Sequence, residues 1–428
     1  MMGMTIVEKI LSQKNLTGAS VRAGDLVDCR IDGIMVHNSY NYAQEAYERL
    51  GFAEGPPLVW DKSKVYMMLE HHQPAPTIEY AARNKTAKEF AQRMGLKYFY
   101  QAECGICHQM MFDYGHVRPG ELIAGTDSHT LIYGALNAAG AGIGGVEAAY
   151  AMTFGELWFQ VPETIKIVLK GKLPNYPIAK EIILALAGRY GDDFAQYQAI
   201  EYTGPVVSEL SLDSRMCLAG HGVEVGAKFA FFDADEKALD YVRARTELPF
   251  EPVVADKDAE YIQEIEIDVG EVGFVVARPH RFDNVVPVEE AAGVKIDQAL
   301  IGSCCNGRFE DIELVARVLK GKKIHPDVRL FIMPASWTIW RQCMDAGLMG
   351  PLLESGAQVQ APGCWVCEAR GSVLADEEVC ISSTTRNYRG RKGNRNAEIY
   401  LGGPATVAAA AIAGEIIHPK EVFDGFEA

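Results

Sequence analysis

The chain is short of positive charge. Its 41 Lys and Arg stand against 57 Asp and Glu, a net of 41 − 57 = −16. No run of Lys or Arg stands out, which excludes nucleic acid as a main partner, because phosphate binding needs clustered cations. An acidic surface also repels small anions, so any acidic substrate needs arginines placed locally. Long apolar runs are missing as well. The longest, residues 405–417, is broken by Gly and Glu and falls short of a bilayer span. The start, Met1-Met-Gly-Met-Thr-Ile, has no basic region ahead of an apolar stretch, so no export signal is expected. No internal repeat or low-complexity segment interrupts the chain. Its ten cysteines lack the regular spacing of a disulfide framework and are expected to be reduced thiols. These absences point to a cytoplasmic protein with no membrane partner.

What is present is ordinary for a globular chain: 48% hydrophobic and 23% charged residues over 428 positions. Length alone predicts roughly three domains, and the pattern places them at 1–160, 161–285 and 286–428. In the first, residues 5–12 have the apolar spacing of an amphipathic helix and 24–32 alternate as a half-buried strand. Residues 86–95 read as a helix closed by Gly95. Between them lie His37, Asn38, Glu70, His71, His72, Cys104 to His108, and Asp127 to His129. Gly140-Ala-Gly-Ile-Gly-Gly145 matches a dinucleotide fingerprint, but residues 135–139 read as helix where the fingerprint needs a strand. Close packing is the expected use of these glycines. The second domain shows strands at 163–170 and 227–235 and helices at 178–190 and 236–243, with few catalytic groups, so its role reads as mainly structural. From 286 onward strands and helices alternate (294–302, 309–319, 328–333, 337–346, 357–360), which implies right-handed βαβ units and a parallel sheet.

Chemistry concentrates in two stretches of that last domain. Ala361-Pro-Gly-Cys-Trp-Val-Cys-Glu-Ala-Arg370 carries a CxxC, and Ile301-Gly-Ser-Cys-Cys-Asn-Gly-Arg308 adds Cys304 and Cys305. A CxxC by itself serves equally as metal or redox site or as core packing. Cys304 falls at the carboxyl end of a predicted strand, and Cys364 and Cys367 follow the next-but-one strand. Open α/β sheets bind ligands at those ends. Three thiolates suit iron–sulfur iron or zinc and leave one metal position open. Two other classes remain at this point: a zinc-binding structural or regulatory protein built on Cys104, Cys107, Cys364 and Cys367, and a thiol oxidoreductase centred on Cys364 and Cys367.

These two stretches, together with Asp127-Ser-His-Thr130, resemble the signatures of the aconitase superfamily. Gly105-Ile-Cys-His-Gln109, Arg118-Pro-Gly-Glu-Leu122 and Tyr388-Arg-Gly-Arg-Lys-Gly393 resemble its branch of isopropylmalate dehydratase and homoaconitase large subunits. The resemblance runs from about residue 5 to about residue 420. It implies three α/β/α domains with mainly parallel sheets and a cluster-dependent hydro-lyase acting on a malate-type di- or tricarboxylate. It further implies that Cys304, Cys364 and Cys367 hold one [4Fe–4S] cluster per subunit. Asp127, His129, Glu70, His71 and His108 match the acid–base network, with His129 or His71 as the nearest acid. Arg386 and Arg391 match the carboxylate-gripping arginines, Ser128 and His37 also match substrate-contacting positions, and Asn306 would brace the cluster loop.

The chain departs from the family pattern at several points. Glu70-His71 stands for Asp-His, His37-Asn38 for His-Asp, Cys305 for Thr, Thr385 for Asn, and Trp365-Val366 for Gly-Pro. No cluster ligand is lost. The departures leave isopropylmalate, homoaconitate-type, dimethylmalate and citramalate substrates open. Cys104 is an addition, and Cys29, Cys217, Cys343 and Cys380 read as packing. The swivelling fourth domain of single-chain aconitases has no counterpart here, so the resemblance implies a separate small subunit supplying it and the catalytic base.

Overall fold

The computed structural model describes residues 3–37, 59–101, 105–368 and 370–426; Asn38 and Cys104 lie outside them. Two compact units emerge, each drawn from several segments. The first comprises residues 1–168, 195–208 and 226–266, the second 169–194, 209–225 and 267–428. The middle stretch of the sequence is thus divided between them. Its strands go mostly to the first unit, while its helices Ala179–Tyr190 and Leu212–His221 go to the second.

The first unit is built on a five-stranded sheet, wholly parallel, in the order Tyr98–Tyr100, Val65–Met68, Gly33–Val36, Leu122–Gly125, Ala139–Gly142. Its three central strands are buried at every position, as expected of a parallel sheet covered on both faces. A four-stranded sheet follows the order Phe229–Phe232, Ala199–Thr203, Thr164–Lys170, Gln263–Asp268. The helix expected at 86–95 begins earlier and spans Ile78–Met94, because the Thr77 hydroxyl caps it by accepting from the Tyr80 N–H. It ends at Gly95 in the left-handed region, as the sequence indicates.

The segment 135–139 is helical only at its first two residues. A 3₁₀ helix runs Ser128–Leu136 and turns at Asn137, and Ala139 opens a strand. The glycine-rich run still serves packing: a Cβ on Gly140 would lie 2.0 Å from the Thr130 carbonyl oxygen. Only glycine lets that strand lie against the turn carrying Asp127 to His129.

The second unit holds a seven-stranded sheet in the order Val285–Pro287, Val275–Ala277, Glu398–Gly402, Val379–Ser382, Gln298–Ile301, Arg329–Ile332, Gln358–Val359. The last five are mutually parallel. The chain winds outward from Gln298–Ile301 to Gln358–Val359, then returns to place Val379–Ser382 on the other side of its starting strand. That reversal makes a switch point between Gln298–Ile301 and Val379–Ser382, where ligands gather in open α/β sheets. Helix Phe309–Leu319 buries Ile312, Val315, Ala316 and Leu319 and keeps Glu313 and Arg317 on its other face. Among the described residues, no helix is long and apolar enough to cross a membrane.

One buried carboxyl gives this unit a pH signature. Glu181 is 1% exposed and its Oε2 has no hydrogen-bond partner. Burial pushes its carboxyl from the ordinary 4.5 up to about 7. A group whose pKa rises on folding binds more protons folded than unfolded, so its contribution is complete below pH 4.5 and lost as pH rises through about 7. Glu181→Gln is expected to remove about 3 kcal/mol of the stability loss between pH 5 and pH 8.5. Thermal unfolding across that range checks it, and an unchanged slope contradicts the assignment.

Candidate active site

In the first unit, Asp127 organises a ring of four histidines. It sits at the N-cap of Ser128–Leu136, just past the carboxyl end of Leu122–Gly125, and its Oδ1 accepts the His129 N–H at 2.7 Å. The Thr130 hydroxyl donates to the Asp127 carbonyl at 2.6 Å and holds the turn. His108, on helix Cys107–Asp113, places Nε2 2.8 Å from Asp127 Oδ1 and Nδ1 3.3 Å from the Tyr133 hydroxyl. The carboxylate can only accept, so His108 Nε2 carries a proton. His71 Nε2 lies 3.4 Å and His37 Nε2 3.7 Å from Asp127 Oδ2, and the rings of His37 and His71 stack 4.3 Å apart. His129 Nδ1 is 3.4 Å from Asp127 Oδ1 and 3.4 Å from the Ser128 hydroxyl. Every sequence-predicted residue of this group is brought together.

Burial alone would raise the Asp127 carboxyl, but the charge and hydrogen bond of His108, followed by the hydrogen bonds of His129 and His71, hold it well below the usual range. Glu70 is also buried, which opposes ionisation; His71 beside it and the Cys107 thiol reverse that and lower its pKa. His71 Nδ1 is 2.5 Å from Glu70 Oε1. An anionic acceptor therefore faces each nitrogen of the His71 ring, a geometry suited to holding two protons and handing one over.

In the second unit, the cysteine loops stand where the sequence places them. Cys304 and Cys305 follow Gln298–Ile301, and Cys364 and Cys367 follow Gln358–Val359, two strands further out. The first loop is tightly braced. The Arg308 guanidinium donates to the carbonyls of Cys304 (2.5 Å) and Cys305 (3.2 Å), and Asn306 donates to Asp311 Oδ1 at 3.2 Å. A Cβ on Gly307 would meet the Met333 carbonyl oxygen at 2.8 Å, so the loop closes against the neighbouring strand end only with glycine there.

The second loop turns through a Cys367 N–H to Cys364 carbonyl bond of 3.0 Å. Its Val366 carbonyl accepts from the Ser372 hydroxyl at 3.0 Å and from the fully buried Lys392 ammonium. The Trp365 ring packs over Gly371, where a Cβ would come within 2.3 Å of it. The pair Trp365-Val366 therefore anchors this loop from within.

Electrostatics set Cys367 apart from the packing thiols. Burial pushes the thiols of Cys29, Cys343 and Cys380 up to about 12. It also raises Cys217, and it raises Cys305, whose Sγ lies 3.8 Å from that of Cys304. At Cys367 burial works in the same direction, but the charges of Arg391 and Lys392 overcome it and bring the thiol down to about 7. Arg391 Nη2 is 3.3 Å from Cys367 Sγ. A buried thiol flanked by two cations is poised to become a metal-binding thiolate.

Arg386 follows Val379–Ser382 at the switch point, and its Nε donates to Glu224 Oε1 at 2.7 Å. Sequence reasoning missed Glu224 and Tyr133. It also missed a buried pair, Lys180 and His221, whose Nζ and Nε2 lie 2.8 Å apart. No motif marks them. The available signal was a His and a Glu three positions apart, His221 closing the helix Leu212–His221 and Glu224 in the 3₁₀ turn just beyond it. The middle stretch, expected to be mainly structural, supplies Lys180, His221 and Glu224.

A profile described as the Aconitase family (aconitate hydratase) matches residues 58–294 and 289–414. The chain belongs to the aconitase family. It is 43% identical to 3-isopropylmalate dehydratase large subunit 1 of Methanopyrus kandleri, over 98% of this chain and 99% of that one. It is 40% identical to 3-isopropylmalate dehydratase large subunit 1 of Archaeoglobus fulgidus (98% and 100% covered) and 39% identical to the Aquifex aeolicus large subunit (98% and 98%). Among solved structures, Thermococcus kodakaraensis aconitase X in its holo-form aligns over 92% of this chain and 93% of that chain, with TM-score 0.51 and 14% identity, and so shares the fold. The family implies an iron–sulfur cluster. The second unit fits one: three buried cysteines on two loops at one end of one sheet, with Cys304 close enough to act electrostatically on Cys367 and the Cys367 thiol brought down to about 7 by cations.

Proposed function

We propose that this chain is the large subunit of a 3-isopropylmalate dehydratase, reversibly removing water from a substituted malate. The observation that carries the reading is 39–43% identity, end to end, with large subunits of that name. Cys304, Cys364 and Cys367 hold a [4Fe–4S] cluster, which when bound supplies Lewis acidity toward a substrate hydroxyl and carboxylate.

The chain's own residues divide the remaining work. Arg386 and Arg391 bind the substrate carboxylates, Arg386 with its guanidinium aimed by Glu224. His71 gives a proton from Nε2 to the departing hydroxyl, which leaves as water, and Glu70 at its Nδ1 keeps the ring oriented. Asp127, held ionised, fixes His108 and the His129 backbone and leaves the imidazoles of His37 and His129 beside the substrate hydroxyl with Ser128. A separate small subunit completes the site with the fourth domain and the base that removes the carbon-bound proton. The protein works in the cytoplasm.

The test is reconstitution. Anaerobically loaded chain plus small subunit is expected to dehydrate isopropylmalate at least about tenfold faster than homocitrate, citramalate or dimethylmalate, a margin one pocket contact can supply. The chain alone is expected to be nearly inactive. Preference for another malate moves the substrate assignment, and robust turnover by the chain alone refutes the two-subunit reading.

A further inference from the structure

Lys180 is 1% exposed and the family chemistry described above gives it no task. Its ammonium donates to the Thr384 carbonyl at 3.0 Å and meets His221 Nε2 at 2.8 Å. His221 Nδ1 lies 2.9 Å from the Cys217 carbonyl one helical turn back. A carbonyl can only accept, so Nδ1 carries the proton and Nε2 presents a lone pair to Lys180. The Phe282 ring lies 5.5 Å from the ammonium and closes another side. A buried charge is retained only where its partners are fixed, and here two of them are a histidine acceptor and one carbonyl.

That carbonyl belongs to the turn that delivers Arg386. Ser382 and Thr384 lock the turn internally, hydroxyl to hydroxyl at 2.7 Å, and the Ser383 N–H donates to the Leu300 carbonyl at 2.9 Å. The next residue, Thr385, places its hydroxyl 3.7 Å from Cys367 Sγ. Arg386 then reaches Glu224, three residues beyond His221. The same short segment, 221–224, thus grasps the turn twice: at Thr384 through Lys180, and at Arg386 through Glu224.

We propose that Lys180 and His221 are positioning residues for substrate binding, a buried pair that fixes the 384–386 turn so that Arg386 meets a substrate carboxylate. The proposal rests on the reading of Arg386 as a carboxylate grip. A carboxylate held equally in ground and transition state contributes to KM rather than kcat. Removing the pair should therefore raise KM.

The variants are Lys180→Met, which deletes the charge; His221→Leu, which deletes the acceptor; and His221→Gln, whose amide oxygen occupies the place of Nε2. Cluster-loaded chain with its small subunit is expected to show KM raised about tenfold or more for K180M and H221L, with kcat within about threefold. H221Q should stay near wild type, and visible cluster absorbance should be unchanged in all three. In an Arg386→Ala background H221L should add little, because the two act as one unit. KM unchanged in H221L, or raised equally in H221L and H221Q, overturns the proposal; the histidine pair decides it if K180M fails to fold. If the wild-type assembly turns over none of the malates, the functional reading fails first. Calorimetric binding of the unreactive carboxylate tricarballylate then decides the pair: about tenfold weakening in H221L but not H221Q supports it, and absence of binding to wild type overturns it.

Discussion

Cys364→Ser is expected to bleach the protein. Anaerobically prepared wild-type chain should be brown, with iron and sulfide each about four per chain, and C364S should fall to background in both. Turnover should drop by at least about a thousandfold, since the Lewis acid is lost with the metal. The contrast lies in the other cysteines. Cys343 and Cys380 are buried thiols pushed up to about 12, so Cys343→Ser and Cys380→Ser should keep the colour. Cys104→Ser should keep it as well, because the family pattern gives that position no ligand role. Loss of colour in C104S would show that the ligand set is wrong. Colourless wild-type protein carrying a single zinc would favour a closed structural site, and metal-free protein with a reversible disulfide an oxidoreductase.

Asp127→Asn should be the most damaging change that leaves the cluster in place. One carboxylate accepts from the His108 Nε2–H and the His129 N–H and faces His71 and His37 as well. An amide keeps one accepting oxygen and turns an N–H group toward a donor, so part of the ring loses its anchor. It also removes one of the two anions that let His71 hold its protons. A fall in kcat of about a thousandfold is expected, near what one positioned acid or base contributes, with iron content and visible absorbance unchanged. A loss below tenfold would mean that Asp127 only caps Ser128–Leu136, the role its N-cap geometry alone would give it.

Much of this was legible along the chain because the decisive groups lie in short, local motifs. Asp127, Ser128 and His129 share one turn, and Cys364 and Cys367 another; turns of this kind need particular residues at particular positions, which a sequence displays. The strand order was legible in part. Cys304 and Cys364 could be placed two strands apart on one sheet, because βα alternation restricts neighbours and handedness. The early start of the helix at Ile78 was missed because one hydroxyl cap decided it. The strand at Ala139–Gly142 was missed because alanine and glycine carry no strand signal, and their small size matters only against the Thr130 backbone.

The sequence by itself determined the chemistry available: three cysteines that suit iron, a His and carboxylate set, two arginines, and the family that uses them. Only the tertiary structure decided which of these groups act on one another. That Arg391 and Lys392 draw the Cys367 thiol down while other thiols are driven up follows from charges at short range in a dry interior, where position sets magnitude. That Lys180, His221 and Glu224 serve the Arg386 turn follows from contacts between residues some 160 to 200 positions apart. No local pattern encodes such pairings, because the free energy that selects them belongs to the packed fold.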